Sequence, residues 1–292
     1  MTQFLQQLIT GLSIGSIYAL LAVGYALIYS IFDFTNFAFG SLMMIGTYAA
    51  FYSIDPGGMS LFAAIIMAMI FGAIASVLVE LVAYRPMRAR GASRLYLMIT
   101  AMGVNIFLPN LAIQLIGGGV RAFPSDWAMY VVRLGKVRVP RSDILAFILT
   151  VIILIIIWLF LYRTRMGLGI RASAFDTNTA GLMGLNVNTI SIVVFAISGI
   201  TAGLAGVFYG MKYTVYPNMG NISNKAFVAA VIGGLGSLPG AVVGGILLGV
   251  LETMVSGFIS STFRDLVAYL IMIIMLLFMP NGLLGKSHQD KI

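Results

Sequence analysis

The 292-residue chain is 60% hydrophobic and 9% charged, with a net charge of +8 and a mean hydropathy of +1.03. A soluble domain carries about 25% charged residues, so this composition excludes one and points to lipid. Having no cysteine, the chain has no disulfide and no thiolate metal site, and its basic residues report membrane topology more simply than nucleic-acid binding.

Uncharged runs cover residues 1–32, 56–79, 95–120, 144–162, 177–211, 226–251 and 266–285. Most meet or approach the roughly 20 residues a helix needs to cross hydrocarbon. Continuous apolar runs, rather than alternation, predict helices and not barrel strands. The first run lacks a basic leader and a cleavage site, so it reads as a retained span. Residues 37–53 and 225–239 are apolar but short or glycine-broken, as half-helices that enter and return would be. The expected fold is all-α: one polytopic transmembrane bundle over residues 1–292, with about eight hydrophobic elements and broken or re-entrant half-helices.

The stretch YRPMRARGASR carries Arg85, Arg88, Arg90 and Arg94 and no acid, which places it in the cytoplasm. Two spans later come Arg163, Arg165 and Arg171, so residues 163–189 share that side. The intervening loop is then external, although it holds Arg121, Arg133, Lys136, Arg138 and Arg141. Its Pro124, Trp127, Tyr130 and Pro140 suit an ordered interfacial cap.

The chain has 33 glycines, and many form G-x-x-x-G pairs: Gly11/Gly15, Gly199/Gly203, Gly206/Gly210, Gly240/Gly244 and Gly245/Gly249. That spacing predicts close helix packing. Gly236-Ser237-Leu238-Pro239-Gly240 instead breaks a helix. A matching break, DFTNFAFG at 33–40, lies in the first half, as expected of an internally duplicated transporter with discontinuous helices.

Several chemistries fall away. Gly11-Leu12-Ser13-Ile14-Gly15 has the form of a nucleophile elbow but lies within a span, and the single histidine, His288, is in the polar tail. Gly285-Lys286-Ser287 resembles the end of a phosphate loop, yet Pro280 stands where its first glycine belongs. Glu80 and Glu252 are acids within apolar surroundings, where a charge at the membrane centre costs about 2.5–3.5 kcal/mol. Glu80 is expected to reach water at the cytoplasmic end, and Glu252 to have no second acid nearby. Both are read as structural or interfacial.

Residues 171–186, RASAFDTNTAGLMGLN, interrupt this apolar chain with a small, polar, helix-compatible segment. It reads equally as a surface helix or as a knob for a soluble partner. The segment resembles the cytoplasmic coupling segment of LivH-type permeases of ABC importers for branched-chain amino acids. The likeness extends through GSIYALLAVGYALIYSI near the start, NFAFGSLMMIGTYAA at 36–50, YRPMRARGASRLYLMITAMGVNIFL at 84–108, KAFVAAVIGGLGSLPGAVVGGILLGVLE at 225–252 and MPNGLLGK at 279–286.

The resemblance implies a transport subunit without its own ATPase site, in a bacterial or archaeal cytoplasmic membrane. Its implied partners are a second, LivM-like permease or a second copy, two ATPase subunits that hold ATP-Mg, and an external substrate-binding protein. Membrane lipid surrounds it, it takes no nucleic acid, and it holds no cofactor or metal itself. ATPase coupling is expected of Arg171, Ala174, Asp176, Ala180, Gly181 and Gly184. The pathway is expected at Asn36, Phe37, Phe39, Gly40, Ser223, Asn224, Gly233, Gly234 and Gly236. Two positions depart from the family pattern: Phe39 stands where a histidine is common, and Phe175 where an acid is. The competing readings are a self-sufficient carrier or channel, and urea or a short amide as substrate.

Overall fold

The computed structural model describes residues 2–124, 130–134 and 137–285; Trp127, Lys136 and His288 lie outside these. Eleven α-helices carry the fold: α1 Thr2–Phe32, α2 Phe39–Ile54, α3 Leu61–Ala89, α4 Arg94–Ile116, α5 Arg141–Arg163, α6 Arg165–Phe175, α7 Thr177–Leu182, α8 Val187–Lys212, α9 Ser223–Gly233, α10 Leu238–Phe258 and α11 Arg264–Phe278. Seven of the described helices are long and apolar enough to span a membrane. Between α4 and α5, β1 Val131–Leu134 pairs antiparallel with β2 Val137–Pro140, a small departure from an all-helical chain.

A helix apolar on every side is buried on every side or faces lipid, and the chain uses both solutions. Of the most apolar window of α1, 94% is buried, against 11% for α4 and 22% for α5. Helix α1 is the central post, packed against α5, α8, α9 and α10. Glycine sets the closest of these contacts. Gly11 and Gly15 of α1 meet Gly249, Val250 and Ile246 of α10; Gly199 and Gly203 of α8 meet Gly72 and Ala68 of α3. A Cβ at Gly15 would stand 2.8 Å from the Ile246 Cα, so the backbones pack with no side chain between them.

Contacts between helix ends settle direction. Ser30, Ile31 and Asp33 share a cavity with Arg94 and the α6–α7 segment, so α1 ends on the face of the basic clusters, the one expected to be cytoplasmic. Its first residues lie at the other face, where Gln6 hydrogen-bonds the Arg138 backbone.

Residues 33–38 then climb to mid-depth. There Asn36 precedes α2, which opens at Phe39, and Ser41 hydrogen-bonds Asn105 halfway along α4 at 2.6 Å. Helix α2 completes that crossing outward, ending where Arg121 reaches Tyr52. In the second half, residues 213–222 descend from the outer face, where Val215 pairs with Arg121. They reach the same depth, where Gly220 meets Gly40. Helix α9 carries on to the cytoplasmic side.

Of the two expected forms, broken and re-entrant, both take the broken one: neither returns to its own side, and each is a crossing made of a stretch outside the α-helices and a short α-helix. The physical reason is mutual support. The two breaks meet where Gly40, in the first turn of α2, packs on Gly220, in the 3-10 helix Pro217–Ile222, and this contact shields the backbone of both from lipid. The described chain thus crosses nine times, starting on the face opposite the basic clusters and ending on theirs.

The halves match in opposite orientation. Helices α1 to α4 correspond to α8 to α11, and the contacts follow: α1 packs on α10 as α8 packs on α3, α1 on α9 as α8 on α2, and α2 on α4 as α9 on α11. The glycine contacts obey the same correspondence. This is an inverted repeat, with α5 to α7 inserted between its members.

Candidate functional site

The segment expected to couple to the ATPases is two helices rather than one. Asp176, with φ −154° and ψ 112°, ends α6 and caps α7: its carboxylate accepts from the Asn178 amide at 2.8 Å, the Thr179 amide at 3.3 Å and the Thr179 hydroxyl at 2.5 Å. That is a strong N-cap. The Thr179 hydroxyl and amide and the Asn178 amide hold the Asp176 carboxyl below the usual carboxylate range. Ala180 is buried, and Ala174 is half-buried against the bundle. Gly181 has open space around it, and Gly184 takes φ +86°, which a glycine adopts freely. Arg171 lies over the Tyr162 ring at 4.8 Å.

Three apolar side chains stand out of this segment: Phe175, Leu182 and Met183, exposed by 64%, 88% and 80%. Phe175 lines a polar cavity of 480 Å³ together with the rest of residues 173–178, Asp33 and Arg94; the Asp33 and Arg94 side chains pair at 2.8 Å. Because α6 packs on both α1 and α8, the protrusion is anchored to the two central helices.

The expected pathway residues divide. Asn36 is buried, its Oδ1 accepting from the Tyr84 hydroxyl at 2.6 Å and the Ala38 amide at 3.1 Å. Phe39 is fully buried against Tyr25, ring centroids 4.8 Å apart, so an apolar ring fills the place of the family's histidine. Gly40 packs on Gly220 and Ser223, and Ser223 receives the Tyr25 hydroxyl. Gly233 meets Gly240, Gly234 meets Gly285 with φ +112°, and Gly236 has φ +83° beside Ser30. These three glycines build the corner between α9 and α10. Phe37, half-buried, faces Phe227 at 6.3 Å, and Asn224 is exposed.

Each buried acid is paired. Glu80 is fully buried, contrary to the expectation that it reaches water. A π-helical turn over Glu80–Tyr84 directs it inward to Arg88 and to the Ser191 hydroxyl, which donates at 2.6 Å. Asp143 takes Lys212 at 2.8 Å, tying α5 to α8. Glu252 does have a second acid close by. It pairs with Lys225 at 3.1 Å and Arg264 at 2.6 Å, while Lys225 also reaches Asp265 at 2.5 Å and the Tyr18 hydroxyl donates to Glu252 at 2.8 Å. Sequence spacing hides this cluster, because its members come from four helices. Pro109 is also legible only in three dimensions. Without an N–H to offer, it leaves the Asn105 carbonyl free, and Ser41 covers that group.

Two solved structures share the fold. PsaBC from Streptococcus pneumoniae bound to a Fab aligns at TM-score 0.53 and 15% identity, covering 95% of this chain and 92% of the other. An inward-facing structure ascribed to a metal-chelate type ABC transporter aligns at TM-score 0.53 and 17% identity, covering 94% and 87%. In sequence, the high-affinity branched-chain amino acid transport system permease protein BraD of Pseudomonas aeruginosa is 37% identical, covering 99% of this chain and 98% of its own. LivH of Escherichia coli K12, described in the same terms, is 35% identical with the same coverage. The family model for the permease component of the branched-chain amino acid transport system matches residues 7–276. With nine crossings in an inverted repeat and this likeness along nearly its whole length, the chain belongs to the branched-chain amino acid transport system permease family.

Proposed function

We propose that this chain is a permease subunit of a binding-protein-dependent ABC importer in a bacterial or archaeal cytoplasmic membrane, carrying branched-chain amino acids inward. It has no ATPase site of its own; ATP-Mg is held by two partner ATPases. The observation that carries this reading is the α6–α7 protrusion. Phe175, Leu182 and Met183 form an apolar knob in the aqueous compartment, and an exposed apolar patch of this kind marks a protein contact.

ATP binding closes the ATPases on the knob, and α6 passes the movement to α1 and α8. The two breaks, meeting at Gly40 and Gly220, then change which face they open to. Phe37 and Phe227 supply an apolar surface there for leucine, isoleucine or valine. A LivM-like permease or a second copy forms the other wall, and an external binding protein delivers the substrate. The pairing of Glu80, Asp143 and Glu252 leaves no free buried acid among the described residues to relay an ion, which favours the ATP-driven reading over an ion-coupled carrier.

Mild-detergent purification of a tagged chain from its native cell tests this. Two ATPases and a second permease should accompany it. A chain recovered alone, still able to move leucine without ATP, overturns the reading.

A further inference from the structure

Asn218, Asn221 and Asn224 recur every third residue along the descent from the outer face to the point where the two breaks meet. Residues Pro217–Ile222 form a 3-10 helix, in which side chains three apart eclipse one another. Asn218 and Asn221 therefore share one face, and Asn224, in the first turn of α9, continues it. All three are exposed, and their side chains make no hydrogen bond among the described residues. An amide facing hydrocarbon with no partner is costly, so three in a column must face water or another polar surface.

At the foot of the column the Lys225 Nζ lies 2.5 Å from the carboxylate of Asp265, whose side chain is 67% exposed. Glu252 and Arg264 complete a cluster of two cations and two anions. An intramembrane ion pair with one member open to the outside is a place where a ligand can enter.

We propose that Asn218, Asn221 and Asn224 form the polar wall of the translocation pathway, leading a zwitterionic amino acid from the outer face to mid-depth. At its foot the Lys225–Asp265 pair opens to take the substrate carboxylate and ammonium. This rests on the importer reading above. An amide offers both donors and an acceptor, so the wall replaces water around either end of a zwitterion. It carries no fixed charge that would trap the substrate on the way. The pair at the foot is complementary to a zwitterion, and exchange leaves the cluster neutral. A neutral solute such as urea has no use for it.

Because the chain has no cysteine, Asn218→Cys, Asn221→Cys and Asn224→Cys each introduce its one thiol. The complete importer, in right-side-out vesicles with ATP inside and binding protein outside, is treated during turnover with a charged, membrane-impermeant methanethiosulfonate. All three sites should react, L-leucine should slow the reaction, and the attached group should lower leucine uptake about tenfold. Ile155→Cys on the apolar face of α5 should stay unreacted. Asn221→Leu should lower uptake about tenfold while ATP hydrolysis continues, and Asn221→Ser, which keeps a hydrogen-bonding group, should retain most of it.

Two results overturn the proposal: no labelling at 221 and 224 in an importer that assembles and hydrolyses ATP, which would mean that the partner permease covers the column, or labelling that leaves uptake unchanged. If the unaltered importer takes up no leucine, the substrate reading fails, and external labelling still decides whether the column lines a water-filled path.

Discussion

Removing the Glu252 carboxylate leaves Lys225 and Arg264 in the interior with Asp265 as their nearest acid. Breaking a buried pair in this way costs about 3–5 kcal/mol, because the orphaned charge keeps its desolvation penalty. Glu252→Ala should therefore lower the melting temperature of the purified complex markedly, and Glu252→Gln, which can still accept from Tyr18, should lower it less. Equal melting of Glu252→Ala and the parent would show that the cluster does not support the fold. Glycines divide by the same physical test. A side chain at Gly203 meets the Ala68 backbone, whereas Gly103 has nothing near it. Gly203→Val should cost at least about 1–3 kcal/mol, as overpacking does, and reduce the amount of folded chain recovered; Gly103→Ala should be recovered like the parent.

Among the elements, α6 and α7 carry the clearest consequence of a short sequence signal. Asp176 stands near the start of a helix in the sequence, and in the structure it is the cap that separates two helices. Asp176→Arg removes the cap and reverses the charge, so uptake should be lost while the chain stays in the membrane; Asp176→Asn, which can still cap, should keep much of it. Gly184→Trp forces a bulky residue into φ +86° and should likewise abolish uptake. Normal transport by Asp176→Arg and Gly184→Trp would reduce the segment to a surface helix. The cap also sets a pH dependence. Its carboxyl is held below the ordinary value, so the cap is fully present above the carboxyl's unfolded pKa and is lost as pH falls through the lowered one. Amide exchange at Asn178 and Thr179, corrected for the intrinsic rate, should stay protected through neutral pH and accelerate only on acidification. The half-helices show where element-level reading fails. Residues 37–53 and 225–239 are short in the sequence, and shortness alone does not distinguish a segment that turns back from one whose other half is extended.

For the whole molecule, with the basic clusters in the cytoplasm, nine crossings put the first described residues outside and the last ones inside. Single cysteines at Gln3 and Gly58 should react with an impermeant thiol reagent added outside intact cells, and cysteines at Gly91 and Asn178 only after permeabilisation. Labelling of Gly91 from outside would invert the topology. The external loop between α4 and α5 makes this test worthwhile: its arginines work against the positive-inside rule, and Arg121 is held there by the Tyr52 hydroxyl and the Ile116 carbonyl, so the rule's usual reason for retaining an arginine inside does not apply to it.

Composition and hydropathy by themselves determined that the chain is a helical membrane bundle, because a bilayer leaves the backbone no other way to satisfy its hydrogen bonds. The basic clusters grouped the loops that share a face, and the G-x-x-x-G spacings marked the surfaces that pack closely. Only the tertiary structure decided what each break does, which helix is central, and how the buried acids are neutralised. Gly40 and Gly220 lie 180 positions apart in the chain, as do many of the contacts that distinguish a crossing from a return. Glu252 acquires its partners from α9 and α11, and Asn218, Asn221 and Asn224 become a column only because the backbone there winds three residues to the turn. Local propensity and hydropathy act over a few residues, whereas these features depend on how two inverted halves close on each other, and no stretch of sequence carries that by itself.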